Sequence, residues 1–198
     1  MLGKDVNGVM KPFAVDTDGA GLFKQAAAPY YVKRKNIFIA ANQTGCVWTV
    51  GLATTYTGLV ISNPIGSGKN LSILGVSHQE VVAPTGIAAV YLAGLYHATA
   101  VTHSVPSAIR AASIGPDGSA KSIAKADTGA TLPAAPEILM NLTAGHTSGA
   151  LSNSASPAFI PINGLITVEP GGFLAICNFT IGVAVGQMGA FIWEEIAI

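Results

Sequence analysis

Residues Thr57 to Val76 read TGLVISNPIGSGKNLSILGV, two apolar runs on either side of the polar stretch Asn63-Pro64-Ile65-Gly66-Ser67-Gly68-Lys69-Asn70. Asn-Pro and Gly-Ser-Gly are turn-forming combinations, and β-branched residues on both sides favour a pleated backbone over a helix. The stretch therefore predicts strand, turn, strand. Gly68-Lys69 resembles the end of a phosphate-binding loop, but such a loop needs a glycine at position 63, a hydroxyl at position 70 and a helix after it. Asparagines occupy both positions and a strand pattern follows, so nucleotide binding is not expected.

Working outward, similar short apolar runs recur from Asn36 to the end: Ile37 to Ala41, Cys46 to Val50, Gly58 to Ser62, Leu71 to Ser77, Glu80 to Val82, Ala88 to His97, Ile138 to Leu142, Ile160 to Ile162, Leu165 to Val168, Leu174 to Phe179 and Ala190 to Ile198. Gly- and Pro-containing turns separate nearly all of them, which predicts an all-β sandwich or closed barrel rather than βαβ units. No repeat of solenoid or propeller length is present. Cys46, Trp48 and Val50 share one face of a strand, and Phe173, Ala175, Cys177 and Phe179 share one face of another; both faces are expected in the core. The opposite faces are hardly polar, with Leu174 and Ile176 in one strand and Ala89, Ala93 and Leu95 behind Val90, Leu92 and Tyr96 in another. Sheets apolar on both sides need cover on both sides, which favours a symmetric oligomer.

The chain has 198 residues, enough for one substantial core, and only 10% of them are charged, against about 25% in ordinary soluble domains. Its mean hydropathy is +0.50, so the surface is short of solvating charge and is expected to be covered by other copies or partners. A net charge of zero offers no field for nucleic acid. The charges are unevenly placed. Residues 1 to 35 hold Lys4, Lys11, Lys24, Lys33, Arg34 and Lys35 against Asp5, Asp16 and Asp18, a net +3, which leaves the remainder at −3. This segment has no sustained period and reads as an extended N-terminal arm, with at most short strand pieces at Pro12 to Val15 and Tyr30 to Val32. A basic leader before an acidic body is either a solvated tail or an arm that lies on an acidic neighbour. In the second case Phe13, Leu22, Phe23, Tyr30 and Tyr31 supply apolar anchors, and Lys33, Arg34 and Lys35 pair with the neighbour's acids. The chain thus divides into an arm, residues 1–35, and one β-sandwich domain, residues 36–198.

Pro170 to Trp193 runs 24 residues without a charge, long enough to span a bilayer. Its five glycines and the polar Asn178, Thr180 and Gln187 fit two strands better, Phe173 to Phe179 and Val185 to Ile196. The N-terminus lacks the apolar core of a signal peptide, so neither a signal peptide nor a transmembrane segment is expected, and the glycosylation sequons at Asn42, Asn70, Asn141 and Asn178 carry no weight. Cys46 and Cys177 lie in apolar contexts, as small buried hydrophobes do; a disulfide between them would need the two strands to be neighbours.

Two long breaks interrupt the strands. His103 to Pro136 reads as irregular, with a helical turn or two at Ser107 to Ile114, and Thr143 to Pro157 is small and polar. No catalytic pattern emerges. His78, His97, His103 and His146 lack metal-ligand spacing and read as surface or strand-end histidines, although His78 and Glu80 share a strand face. Glu194 and Glu195 face opposite ways on a strand and cannot act together on one bond; one is expected to be solvated and the other paired. There is no nucleophile elbow or Cys/His pairing. No catalytic, cofactor-binding or metal-binding residue is expected.

Ala40-Ala41-Asn42-Gln43-Thr44-Gly45, Thr57-Gly58-Leu59 leading to Asn63-Pro64-Ile65-Gly66-Ser67-Gly68-Lys69-Asn70-Leu71, Ala130-Thr131-Leu132-Pro133-Ala134-Ala135-Pro136, and Phe191-Ile192-Trp193-Glu194-Glu195-Ile196 resemble, in this order, a family of tailed-bacteriophage virion proteins with a jelly-roll body. The resemblance spans about Ala40 to Ile198 and rests on turn and strand signatures. It implies a jelly-roll β-sandwich of about eight strands, a homotrimer, and a head decoration or cement protein that sits on the outside of the capsid and contacts the major capsid protein. On that reading the chain is a non-enzymatic structural protein of the virion, without cofactor, nucleic acid or membrane partner. A tail or fibre location is the alternative, as an adhesin module binding glycans through His103 to Pro136 and Thr143 to Pro157.

Overall fold

The opening stretch folds as two strands, β5 (Thr55–Ser62) and β6 (Lys69–Glu80), that do not pair with each other. The structure, a computed structural model, describes residues 2–4, 10–12, 36–49, 51–81, 89–113, 121–142, 158–178 and 186–198. Among these there is no helix; two main antiparallel sheets account for the body. One sheet runs in the order β11 (Glu137–Asn141), β7 (Val90–Tyr96), β14 (Gly172–Asn178), β5, β10 (Lys125–Thr131), β8 (Thr102–Pro106). The other runs β12 (Ala158–Pro161), β6, β15 (Gly186–Ala197), β3 (Ile37–Ala41), β9 (Ile109–Ala111), with β13 (Thr167–Val168) beside β6 and β4 (Cys46–Val47) beside β15. Within the arm, β1 (Leu2–Lys4) pairs with β2 (Met10–Pro12) as a separate ribbon.

Since β5 and β6 lie in different sheets, the hinge between them is the corner at which the chain changes sheet. Asn63 holds that corner. Its buried side-chain amide donates to the carbonyls of Lys69 (2.7 Å) and Val168 (2.9 Å), and its Oδ1 accepts from Ser67 Oγ at 2.7 Å. Its backbone N donates to Gly172 O, and its own carbonyl accepts from Gly171 N. Ser67 N closes a turn onto Pro64 O with Gly66 at φ 73, the position at which a type II turn requires glycine. The resemblance to a phosphate loop thus resolves into a sheet-to-sheet corner. Asn63→Ala should leave the Lys69 and Val168 carbonyls without this donor and lower unfolding free energy by about 2–3 kcal/mol, read as a lower denaturant midpoint. A loss under about 0.5 kcal/mol would mean that the backbone bonds alone hold the corner.

The core between the sheets combines Leu59, Ile61, Leu92, Leu174 and Ile176 from one sheet with Leu71, Ile73, Val76, Phe191, Trp193 and Phe38 from the other. A second buried cluster lies on the opposite face of the first sheet, where Tyr56, Val60, Ala93, Phe173, Ala175 and Cys177 meet Val101, Ala130 and Leu132. Every residue of β14 is therefore buried. The expected apolarity on both faces is real, but for this sheet the cover is already present within one chain, so β14 by itself does not demand a second subunit. The second sheet differs. Along β15 the inward Gln187, Gly189, Phe191, Trp193 and Glu195 are buried, while the outward Met188, Ala190, Ile192 and Glu194 remain half-buried. Ala190 lies opposite Ala41, and Ile192 opposite Ile39, both also half-buried. An apolar outer face is thus left partly open there.

The stretch expected to be irregular, His103 to Pro136, contributes β8, β9 and β10. No helical turn forms over the described residues 107–113 of the run Ser107 to Ile114; Ile109–Ala111 instead pairs with the edge of β3, with Phe38 opposite Ala111. Tertiary pairing overrides the helical preference of this Ala-rich run. All five residues of β8 are exposed, and β10 carries a bulge between Asp127 and Gly129, so neither shows the alternation that marks a half-buried strand. The uncharged run from Pro170 to Trp193 provides β14 and the start of β15, and no helix among the described residues is long and apolar enough to cross a membrane.

Candidate interaction surfaces

At one end of the sandwich, β7 and β14 pair with Gly172 opposite Tyr96, Phe173 opposite Leu95 and Leu174 opposite Gly94, and β11 places Glu137 beside Gly94 on the other side. Gly94 keeps this corner open, since a Cβ there would lie 2.7 Å from Phe173 O. With β13 arriving from the second sheet, these strands enclose a groove of about 320 Å³, lined by Leu95, Tyr96, Glu137, Leu139, Thr167 and Glu169 among others. The volume is at the small end of ligand-binding cavities. Tyr96 is 65% exposed, and its ring packs over the backbone of Gly171, where a Cβ would come within 2.9 Å of it. Glu137 and Glu169 are both exposed, and neither forms an ion pair among the described residues. An apolar floor under two uncompensated carboxylates suits a cationic segment that also carries apolar side chains.

Several other titratable groups are committed to structure. Glu195 is buried and accepts from Lys69 Nζ (2.9 Å) on one oxygen and from Ser122 Oγ (2.6 Å) and Ile123 N (2.9 Å) on the other. Its neighbour Glu194 is half-buried rather than fully solvated, and burial pushes its carboxyl above the usual range. Asp127, buried in the bulge of β10, is paired with His103 Nδ1 of the adjacent β8. His97 Nδ1 accepts from Thr99 N at 2.9 Å and so closes a turn. His78, read as a surface or strand-end histidine, lies near the end of β6 and is buried, its ring centroid 5.6 Å from that of Trp48. Among the described residues no group of three or more His, Cys, Asp or Glu is arranged to hold a metal ion.

Cys46 and Cys177 are free thiols, not a disulfide. Burial pushes the Cys177 thiol up to about 12, while a hydrogen bond with Tyr56 pulls weakly the other way. The reactive form is the thiolate. At pH 8 native Cys177 should therefore alkylate about a thousandfold more slowly than an ordinary thiol of pKa 9.0, and at the ordinary rate once the chain is unfolded. Mass spectrometry after an iodoacetamide pulse checks this, and equal labelling rates in the two states would contradict the burial.

The arm residues singled out from the sequence, Phe13, Phe23, Tyr30, Tyr31, Lys33, Arg34 and Lys35, lie outside the described residues, as do His146 and the loop Thr143 to Pro157. Of the expected strand pieces, Pro12 falls within β2 and the rest lies outside the described residues. The groove was not legible in advance, because its residues come from four separate strands and loops. One signal was available: between Asp127 and Glu194 the sequence has only two charges, Glu137 and Glu169, and the fold brings both to this groove. Comparison with protein-family models, with curated proteins and with solved structures gives no match.

Proposed function

We propose that the body is a jelly roll that assembles as a homotrimer, and that the protein is a non-enzymatic structural component of a tailed-bacteriophage virion, a decoration or cement protein on the outer surface of the head. The observation that carries the reading is the strand order. A jelly roll distributes eight strands of two Greek keys over two sheets. Here β11-β7-β14-β5 and the run of β12 and β13, β6, β15, β3 supply two such four-stranded units. With the two-residue β4 and β13 set aside, β3, β5, β6 and β7 alternate between sheets, as do the later β12, β14 and β15. The strands β8, β9 and β10 are an insertion that extends the β5 and β3 edges. Jelly rolls occur in viral capsids and also in lectins and cupins, so the functional step rests on the sequence resemblance together with the surface. The half-buried face of Ile39, Ala41, Ala190 and Ile192 and the exposed Phe159, at 58%, favour a chain that is covered in an assembly.

The adhesin alternative relied on long irregular loops. Part of the first of them is strand in this structure, which weakens that reading. Electron microscopy of particles carrying the chain provides the test. Three-fold protrusions on the outside of the head, seated on the major capsid protein, are expected to fit the body. Density only at the tail or fibre would overturn the decoration reading.

A further inference from the structure

We infer that the groove bearing Glu137 and Glu169 is the docking site for the basic N-terminal segment of a second copy of this chain, so that arms exchanged between subunits clasp the oligomer. This rests on the reading of the chain as an assembling structural protein.

Charge bookkeeping picks out the groove. The described carboxylate side chains of the body are Asp127, Glu137, Glu169, Glu194 and Glu195. Asp127 and Glu195 are consumed by His103 and Lys69, and Glu194 lies half-buried on the outer face of the second sheet. The two that remain, exposed and unpaired among the described residues, both line the same groove, and no lysine or arginine lines it with them. The matching cations are concentrated in one place, residues 1–35, which hold six of the chain's ten basic groups and a net +3. That segment also carries Phe13, Phe23, Tyr30 and Tyr31, side chains suited to an apolar floor. Opposite charges across such a contact guide association and fix register, and they are screened by salt.

Reach bears on the choice between the chain's own basic triplet and a neighbour's, and favours the neighbour's. The carbonyl of Asn36 accepts from Glu195 N, Glu195 lies opposite Leu71, and Leu71 lies opposite Val168. Val168 at the groove is thus three strand spacings from Asn36, about 14 Å, and Glu137 lies in the other sheet, about 10 Å further through the sandwich. The triplet Lys33-Arg34-Lys35 can extend only about 10 Å from Asn36. In its own subunit the backbone of the triplet stops short of the groove and only fully stretched side chains approach it, whereas a neighbour's triplet is under no such limit.

The test uses the full chain and sedimentation equilibrium, with circular dichroism to check that each variant is folded. Reversing the groove (Glu137→Lys with Glu169→Lys) or the arm (Lys33→Glu, Arg34→Glu, Lys35→Glu) should each weaken self-association about tenfold or more. The shape-conserving pair Glu137→Gln and Glu169→Gln should act in the same direction to a smaller extent. Mixing the two charge-reversed proteins should restore association, since an acidic arm then meets a basic groove on another subunit. Wild-type association should also fall as salt rises from about 0.05 to about 0.5 M. Recovery only when both reversals are placed in one chain would overturn exchange between subunits, and unchanged association of the groove variants, or a monomeric wild type, would overturn the inference itself. A trimer that ignores both reversals leaves the decoration reading standing, because that reading is tested by position on the particle.

Discussion

Replacing Trp48 by alanine is expected to lower unfolding free energy by about 3–5 kcal/mol, the range for deleting a large buried aromatic. Trp48 is 1% exposed and fills space left by two glycines. A Cβ on Gly58 would lie 3.0 Å from the Trp48 ring, and a Cβ on Gly189 would lie 3.0 Å both from that ring and from Ile176 Cδ1. The backbone beside it is equally committed. Thr49 N donates to Thr57 O at 2.7 Å, and Thr49 O accepts from Asn178 N, just where the β5 and β14 ladder ends at Val60 and Ala175. Beyond that point the strands part, the Tyr56 hydroxyl donates to Ile176 O, and the segment after β4 fills the gap. Trp48 therefore links both sheets at the place where one of them opens. A cavity there cannot collapse easily, because the strands around it are fixed by other pairs. The reciprocal substitution Gly189→Ala should cost about 1–3 kcal/mol by overpacking, and much of that cost should vanish in the Trp48→Ala background. Denaturant titration of the two single variants and the double variant measures this coupling; additive losses would show that the ring and the glycine do not share the space.

The parts of this fold that the sequence made readable are those in which one strand shows its own chemistry. Ile37–Ala41 was read with its bounds intact, and the strands around Asn63 and across Pro170 to Trp193 were placed within a few residues. In each, apolar residues recur with turn residues at the ends. What could not be read was partnership. β15 lies between β3, near the start of the body, and β6, and nothing local in Phe191 or Trp193 specifies either neighbour. The inserted strands failed for a different reason: β8 buries none of its residues and β10 is broken by a bulge, so both lack the pattern that burial imposes. The candidate site divides along the same line. A charge excess and an absent period can be read from residues 1–35 alone, whereas Glu137 and Glu169 become a pair only when β7, β11, β13 and β14 bring them to one groove. Likewise, the tandem Glu194-Glu195 announces a paired and an unpaired carboxylate, but its partners Lys69 and Ser122 are visible only in the fold.

Glu195→Ala should cost about 2–3 kcal/mol, and its comparison with Glu195→Gln should show which of its contacts matters more. The carboxylate side chain is 1% exposed, that of Lys69 38%, so a Lys69 deprived of its partner can turn to water and the ion pair is worth less than a fully buried one. Ile123 N and the Ser122 hydroxyl have no such freedom. They are half-buried, and through Glu195 they anchor residues 121–124 to β15 just before β10 begins. A glutamine keeps an oxygen for Ile123 N while removing the charge, so Glu195→Gln should cost about 1 kcal/mol, the net value of a hydrogen bond or an exposed pair. In the alanine variant the Ile123 amide should exchange with solvent faster than in the wild type, and in the glutamine variant nearly as slowly. If instead the two variants lose equal stability, and Lys69→Met matches them, the charge pair and not the anchoring of this segment is what Glu195 contributes.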